Sequence, residues 1–385
     1  MASDRRSLTG SLALAALSIG LTLAAAEGLL RVFYPVGGLT YRIEPELLFE
    51  LRPLSSRVFL HDPSDGGGFV LSRVNADGFR GPELRQDATR RIVVYGDSFV
   101  HAEYSTLSET FARQLEARLG GDTEVVNAGV RAYGPDQALL HLDRTLATLA
   151  PQAIVFAVYA GNDFGDLIRN KLFRPDAAGG LRRNRPQLTP ELRAHFEQHP
   201  IERLALAGLF RVAKRGLKLR RRSQLISERY DPASVLERCR NEFDAYGADD
   251  FARADVFEDH YDADLALEPD AEAALLKRRL MAGVLARLAQ RVGEVSVTVL
   301  AIPAAIDIAP GLGGLSVSSE RWPDYDPRRL SRSVAHAARA AGLPVIDLWD
   351  AFEAEAPELF YARNRHWNAR GQALAARVVA AQLTR

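Results

Sequence analysis

The feature that most constrains the fold is a series of continuous apolar runs separated by amphipathic stretches. The runs lie at residues 92–95, 124–129, 153–159, 295–302 and 344–348, and their polar residues are Glu124, Asn127, Ser296, Thr298 and Asp347. Strands that are buried on both faces read as unbroken apolar runs, whereas strands with one solvated face alternate. The stretches between them carry apolar residues at helical spacing. The sequence therefore predicts an α/β fold with a parallel five-stranded sheet that has helices on both faces.

The first of these strands ends abruptly at Gly96-Asp97-Ser98. Helix-forming sequence follows, so the strand leads into a turn that presents the Ser98 hydroxyl. In open α/β sheets, ligands bind at the carboxyl ends of the strands. Ser98 is therefore the candidate nucleophile.

Polar residues also follow the next strands, in Asn127 to Gly129 and in Gly161-Asn162-Asp163, and His366 precedes the last helix. Acyl transfer from an ester needs a nucleophile, a base that takes its proton, and donors for the developing oxyanion. Ser98 and His366 supply the first two. The backbone N–H groups of Ser98 and Gly129, with the Asn162 side chain, supply three donors.

Each residue also has an ordinary structural interpretation. A serine after Gly-Asp is more often a helix cap, Asn162 alone is a turn residue, and a single histidine is usually a surface or core residue. Gly129 is equally explained by backbone geometry. The order of the residues, at three successive strand ends and then before the terminal helix, favours catalysis.

With these residues the chain resembles the SGNH hydrolases, also called the GDSL lipase/esterase superfamily. The resemblance covers residues 91–165 and roughly 295–385, and membrane-anchored members look similar at residues 75–81. It implies a flavodoxin-like three-layer α/β/α sandwich. It also implies Ser98 as nucleophile, His366 as base, and Gly129 with Asn162 as the oxyanion hole.

One position departs from the pattern of that family, which usually has an aspartate two or three residues before the histidine. Here those positions hold Asn364 and Arg363. Three interpretations remain open: a Ser98–His366 dyad assisted by the Asn364 amide oxygen, an aspartate recruited from elsewhere such as Asp347, or a weakened enzyme. In a serine protease, replacing the corresponding aspartate with asparagine costs about 10⁴ in turnover.

The alternation of strands and helices divides the chain into segments. We expect a membrane anchor or signal segment at 1–30, a connecting segment that packs on the core at 31–90, and a hydrolase domain at 91–165 and 281–385. Residues 166–280 form a helical insertion with a basic block at 211–222 and an acidic block at 249–264. Either the two blocks pair in a solvated insertion, or the basic face contacts anionic lipid or polymer.

The N-terminus carries Arg5 and Arg6 before 19 uncharged residues, Leu8 to Ala26. That length crosses about 30 Å of hydrocarbon. A retained transmembrane helix is favoured over a cleaved signal peptide, for which Ala24 to Ala26 offer a small-residue site. The arginines predict a cytoplasmic N-terminus and a catalytic domain in the periplasm or outside the cell.

Composition excludes several classes of function. The 49 basic and 49 acidic residues balance, so bulk charge favours no nucleic-acid partner, and the single cysteine forms no internal disulfide. The eight histidines show no paired metal-binding spacing, so no metal or cofactor is expected. The leading hypothesis is an esterase acting on a small O-acyl group of a glycan or envelope molecule. The alternatives are an O-acyltransferase and a non-catalytic glycan-binding or scaffold protein.

Overall fold

A computed structural model describes residues 2–33, 40–176, 180–196, 204–219, 231–248, 251–254 and 260–384. Parts of the two charged blocks fall outside the described residues: 220–222 of the basic block, and 249–250 and 255–259 of the acidic block. The pairing of the blocks therefore stays a prediction, as does the division of the chain into segments.

The N-terminal part consists of one long helix and two hairpins. Its elements are α1 (Ala2–Phe33), β1 (Tyr41–Glu44), β2 (Leu48–Leu51), β3 (Ser56–Leu60) and β4 (Phe69–Arg73). Within α1, Gly10–Phe33 is long and apolar enough to cross a membrane, and it is not buried in the protein. Strands β1 with β2, and β3 with β4, pair antiparallel.

The first half of the core follows the predicted alternation. Its elements are β5 (Arg90–Gly96), α2 (Ser98–His101), α3 (Phe111–Leu119), β6 (Thr123–Gly129), α4 (Pro135–Leu149), β7 (Ala153–Tyr159) and α5 (Asp163–Asn170). Helices α3 and α4 both start at a capped N-terminus, with Thr110 before α3 and Gly134 before α4.

The insertion is mainly helical, as expected, but it also contains short strands of two or three residues. Its described elements are β8 (Phe173–Pro175), β9 (Leu181–Arg183), β10 (Gln187–Leu188), α6 (Pro190–Phe196), α7 (Ala205–Leu219), α8 (Pro232–Gly247), β11 (Arg253–Ala254) and α9 (Ala263–Leu267). Such short strands have no detectable period, which is why the sequence did not predict them.

The second half of the core follows the insertion. Its elements are α10 (Glu272–Val292), β12 (Ser296–Ile302), α11 (Ala305–Ile308), α12 (Arg329–Ala340), β13 (Val345–Asp347), α13 (Trp349–Glu353) and α14 (Ala369–Leu383). The predicted helix near residues 272–291 and the terminal helix are both present.

The five core strands form one parallel sheet in the order β13-β12-β7-β5-β6. Successive residues of β5 enter opposite apolar clusters: Val93 and Tyr95 face the cluster with α4 and α10, and Ile92 and Val94 face the one with α3 and α14. The predicted fold class, a three-layer α/β/α sandwich with a five-stranded parallel sheet, is confirmed.

The strand order places a topological switch at β5. Strand β6 lies on one side of β5 and β7 on the other. The connection from β5 to β6 and the connection from β6 to β7 therefore run in opposite directions along the sheet. Ligands of open α/β sheets bind in the crevice at such a point, beyond the carboxyl ends of the strands. Ser98 directly follows β5, so the topology puts it at that crevice.

Candidate active site

The turn after β5 holds Ser98 in a tight bend. A Cβ at Gly96 would lie 2.7 Å from Val100 Cγ2, which only glycine avoids. Asp97 caps the short helix α2, because its Oδ1 accepts the Phe99 N–H at 3.0 Å. Asp97, and not Ser98, therefore caps α2, and the Ser98 hydroxyl faces His366.

His366 lies 268 residues from Ser98 in the chain, yet its Nε2 is 2.8 Å from Ser98 Oγ. Its ring stacks on Phe99 at 4.8 Å between centroids and meets Tyr104 edge-on at 5.1 Å. These two rings fix the plane of the imidazole. The arrangement is that of a hydroxyl hydrogen-bonded to a base.

The group beside the other ring nitrogen of His366 is not the one expected, which was the side-chain amide oxygen of Asn364. The Nδ1 atom lies 3.1 Å from the main-chain carbonyl oxygen of Asn364, not from its side-chain amide. The side chain instead accepts the His366 N–H at 2.9 Å and has its Nδ2 2.6 Å from His61 Nε2. Asp347 accepts the Trp349 N–H. The group beside Nδ1 is thus the main-chain carbonyl of Asn364, whereas the expected assistance came from its side-chain amide oxygen.

Asn162 lines the same cavity as Ser98 and His366. Its loop is fixed from two sides. The Arg169 guanidinium donates to the Asn162 carbonyl at 3.4 Å, and the Asp262 N–H donates to the Gly161 carbonyl at 2.7 Å. Asn162 is thus held at the end of β7, beside the nucleophile.

Gly129 does not have the surroundings expected of an oxyanion donor. Its N–H donates to Asn127 Oδ1 at 3.1 Å, and Gly129 is not among the residues that line the cavity. A Cβ at this position would lie 2.5 Å from the His101 nitrogen and 2.6 Å from Val100 Cβ. The glycine therefore serves the close packing of β6 against α2, which was the structural alternative.

A family model described as an SGNH hydrolase-like domain of acetyltransferase AlgX matches residues 258–385, which include His366. Over residues 258–385 the chain is therefore similar to an SGNH hydrolase-like domain, and the Ser98–His366 pair lies at the switch point of the sheet.

No curated protein sequence matches the chain. Similar solved structures include a lipase/acylhydrolase from Enterococcus faecalis, at 14% identity and TM-score 0.37, over 77% of this chain and 95% of that one. An aryl esterase from M. smegmatis has 12% identity and TM-score 0.34, over 77% and 99%. Est24, a carbohydrate acetylesterase from Sinorhizobium meliloti, has 12% identity and TM-score 0.32, over 77% and 99%.

The β3–β4 hairpin contacts the loop that carries His366, which the sequence did not reveal. Asp65 accepts the Arg363 N–H with both carboxylate oxygens at 3.1 Å, and Asp62 pairs with the Arg363 guanidinium at 2.6 Å. His61 is buried between the rings of Tyr104 and Tyr361. The hairpin therefore holds the backbone that positions His366.

The connecting segment also holds the nucleophile helix. The buried Arg80 guanidinium donates to the carbonyls of His101 and Ala102 at the C-terminus of α2, and to Ser105 at 2.8 Å. Burial lowers the pKa of Arg80 to about 10, which still leaves it charged at neutral pH. A cation at a helix C-terminus satisfies the last carbonyls and stabilises the end of the helix. Residues 61–80 thus support both halves of the dyad.

Replacing Asp65 with alanine should slow catalysis by loosening the histidine loop. We expect kcat for p-nitrophenyl acetate to fall about tenfold or more with little change in KM, because displaced catalytic groups lose rate and not ground-state binding. The control is Asp77→Ala, at an exposed turn of the same segment. Equal kcat in the two variants would contradict a positioning role for the hairpin.

Replacing Asn364 with aspartate should change activity little. The side chain at this position already bonds to the His366 N–H and faces His61, so the new carboxylate meets those groups and not Nδ1 of His366. We expect kcat/KM to change less than about tenfold, against the roughly 10⁴ that an aligned aspartate supplies in a serine protease. The control is Asn368→Asp, where the side chain caps α14. A gain near the larger figure would show that the carboxylate reaches the imidazole.

The insertion contributes to the site through a buried ion cluster. Lys277 donates to Asp262 at 2.7 Å and to Asp264 at 2.8 Å, and Asp262 also accepts the Gly165 N–H at 3.0 Å. Burial lowers the pKa of Lys277, but the two carboxylates outweigh it and raise that pKa above its ordinary value. The sequence contained a signal for this cluster, because Lys277 lies between Ala274 and Leu280 on the apolar face of α10. A lysine there needs a buried partner.

Another buried carboxyl lies just behind the cavity. Asp307 Oδ1 accepts the hydroxyls of Tyr261 at 2.6 Å and Tyr325 at 2.7 Å, and Tyr261 itself lines the cavity. Burial raises the pKa of Asp307 to about 7, against the lowering effect of the two tyrosines. Its protonation is therefore linked to folding near neutral pH.

This linkage predicts a loss of stability with rising pH. Folded Asp307 keeps its proton to about pH 7, while the unfolded chain releases it near pH 3.8. The stabilisation is thus complete below pH 3.8 and declines by about 1.4 kcal/mol per pH unit up to pH 7. We expect urea unfolding of Asp307→Asn to show a shallower decline between pH 5 and 7.5, by on the order of 2 kcal/mol. Parallel pH curves for variant and parent would contradict it.

Proposed function

We propose that the protein is a serine esterase that removes a small O-acyl group, acetyl above all, from a glycan or another cell-envelope molecule. One observation carries the proposal: Ser98 Oγ and His366 Nε2 lie 2.8 Å apart in a cavity that Asn162 also lines. A hydroxyl, a base and an amide donor around one cavity are the groups that acyl transfer from an ester requires.

In the first half of the reaction, His366 Nε2 takes the proton of Ser98 as Oγ attacks the carbonyl carbon of the ester. The Nδ1–H of the resulting imidazolium donates to the Asn364 carbonyl, at 3.1 Å. The tetrahedral intermediate then collapses, and His366 returns the proton to the alcohol oxygen that leaves. The acyl group remains on Ser98.

The developing oxyanion needs hydrogen-bond donors. We assign this role to the Asn162 amide and to the backbone N–H of Ser98, which opens α2 and so has no partner within the helix. Each such donor contributes about 3 kcal/mol in a serine protease. In the second half, His366 deprotonates a water molecule that attacks the acyl-enzyme and releases the acid.

The size of the cavity supports a short acyl group. The space beside Ser98 is about 40 Å³. Phe99, Tyr159 and Ile306 contribute apolar walls, which suit the methyl group of an acetyl ester.

The proposed location rests on α1. The segment Gly10–Phe33 has the length and hydropathy of a single membrane span. We propose that it is retained as an anchor and that Arg5 and Arg6 keep the N-terminus in the cytoplasm. A reporter fused after residue 385 tests this, since a cytoplasmic signal would refute the proposed topology.

A second candidate function is O-acyl transfer to a polysaccharide. The observation that favours it is the match of residues 258–385 to the acetyltransferase family model. The chemistry up to the acyl-enzyme is the same, and a sugar hydroxyl then replaces water.

Labelling and product analysis separate these functions. The full-length protein in detergent should react with a fluorophosphonate probe and should hydrolyse p-nitrophenyl acetate. Adding an oligosaccharide acceptor then measures how acetyl is divided between water and sugar. Release of acetate alone supports the esterase, and acetylated sugar supports the transferase. Absence of labelling refutes both and favours a non-catalytic glycan-binding or scaffold protein.

A further inference from the structure

Helix α7 of the insertion packs against α1, the helix that is able to span a membrane. The Glu27 carboxylate of α1 accepts the N–H groups of Ala205 and Leu206 at 2.9 and 3.0 Å, so it caps the first turn of α7. Ala205 is buried against Val58 of β3, and Leu30 of α1 packs on the same two residues. One face of α7 is therefore fixed to the C-terminal part of α1 and to the β3–β4 hairpin.

The position of Glu27 within α1 sets the level of α7 relative to the membrane. The uncharged run of α1 ends at Ala26, and Glu27 and Arg31 follow it. Charged side chains are costly in hydrocarbon, and those at the end of a span lie at the interface with water. Because Glu27 caps α7, this helix begins at the level where the hydrocarbon ends.

A different face of α7 carries exposed apolar residues and a lysine. Phe210 is 69% exposed and Leu209 is 45% exposed, and Ala213 and Lys214 are exposed as well. The second pair follows the first by three or four residues, so the four side chains lie on one face of the helix. Adjacent exposed apolar side chains of this size mark a contact with another protein or with a membrane.

The charge of α7 favours a partner of negative charge. Its sequence contains Arg211, Lys214, Arg215 and Lys218 and no acidic residue. A basic helix with an exposed apolar face lies in the membrane interface, where the apolar side chains enter the acyl boundary and the basic ones attract anionic headgroups. Because the proposed span of α1 places a bilayer next to this helix, an anionic membrane is favoured over a soluble anionic polymer.

We propose that α7 lies in the interface of the bilayer that α1 spans, with Leu209 and Phe210 at the acyl boundary and Lys214 beside anionic phospholipid headgroups. The inference rests on the proposed retention of α1 as an anchor and is independent of the esterase chemistry. It gives the domain a second attachment to the membrane, next to the first. An interfacial helix beside the span restrains the tilt of the domain on the membrane surface.

A fluorescent label on α7 tests the inference in the full-length protein in lipid nanodiscs. The native Cys239 does not compete for the label, because it is buried and burial raises the pKa of its thiol to about 12. An NBD label at Ala213→Cys leaves Leu209 and Phe210 in place. We expect a nitroxide-bearing lipid in discs with phosphatidylglycerol to lower its emission about twofold, because the apolar face of an interfacial helix enters the acyl boundary. The matched control is Ala245→Cys, at an exposed position of α8, whose emission should not change.

Neutralising Lys214 tests the contribution of lipid charge. In the Ala213→Cys protein, Lys214→Gln should lower the ratio of docked to undocked helix about fivefold in discs with phosphatidylglycerol, and hardly at all in phosphatidylcholine alone. Equal emission losses at residues 213 and 245, or no loss at 213, would overturn the inference. Emission that responds to dextran sulfate in solution and not to the nitroxide lipid would assign α7 to a soluble polymer, which also overturns it.

A label within the span distinguishes failure of this inference from failure of the anchor. Leu17→Cys, at an exposed position of α1, should be quenched by the nitroxide lipid whatever α7 does. Quenching at residue 17 without quenching at 213 overturns the inference and leaves the anchor in place, whereas loss of both refutes the anchor and the inference with it. Failure of the esterase chemistry alters neither signal, because it appears as absence of p-nitrophenyl acetate hydrolysis.

Discussion

Ser98→Ala is expected to lose fluorophosphonate labelling completely and at least 100-fold of the kcat/KM for p-nitrophenyl acetate. The hydroxyl at 2.8 Å from His366 is the candidate nucleophile, and alanine removes it without adding volume at this buried position. In a serine protease, loss of the serine alone costs about 10⁶. The lower bound here is smaller, because loss of the aspartate alone already costs such an enzyme about 10⁴ and this chain has a neutral carbonyl in its place.

The matched control is Ser108→Ala, which removes an exposed hydroxyl ten residues away. It should keep both labelling and turnover. Since the buried site tolerates a smaller side chain, Ser98→Ala should also retain the thermal unfolding temperature of the parent. Labelling that persists in folded Ser98→Ala would identify another nucleophile and refute the assignment.

The fold could be predicted because its signals are local and periodic. Each core strand is an apolar run that ends in glycine, proline or a polar cluster, and the parallel sheet follows from the helices between them. The capping box of Thr106 and Glu109 is recognisable in the sequence. It caps the N-terminus of the short 3₁₀ helix Leu107–Glu109, however, and not that of α3. Helix α3 begins at Phe111 with Thr110 as its N-cap, so boundaries were less predictable than elements.

The pairing of Ser98 with His366 could be predicted from the order of the strand ends alone. The role of individual atoms could not. Asn364 offers a main-chain carbonyl, an amide oxygen and an amide nitrogen, and which of them faces the imidazole depends on the local backbone. Arg365, at φ 61°, turns the chain so that the carbonyl does. Gly129 illustrates the same limit, because a glycine needed for close packing and one needed for its N–H look alike in sequence.

Contacts between segments that are distant in the chain could not be predicted from the sequence either. The hairpin residue Asp65 contacts Arg363, which is 298 residues away in the chain, and nothing in either segment has a period that indicates the contact. The same holds for His260, which lines the cavity beside Ser98 but lies within the acidic block at 249–264 and so in a segment that the sequence suggests is solvated. Such residues reach the site only once the sheet has placed their segments at one edge.

His366→Ala is expected to lower kcat/KM for p-nitrophenyl acetate by at least 100-fold, as Ser98→Ala does, since nucleophile and base act as a unit. Added imidazole should restore part of that loss. The substitution removes a ring that stacks on Phe99 and meets Tyr104, and free imidazole can occupy the space between those two rings. It then lies beside Ser98 Oγ as a general base.

Rescue separates chemistry from folding, because imidazole cannot refold a damaged protein. The rate with imidazole should rise with the concentration of its unprotonated form, and Ser98→Ala should show no rescue. The control His336→Ala removes an exposed ring and should keep the parent rate. If imidazole fails to restore turnover in folded His366→Ala, or restores it equally in the double variant with Ser98→Ala, His366 is not the base that activates Ser98. The 2.8 Å hydrogen bond would then have only a structural role.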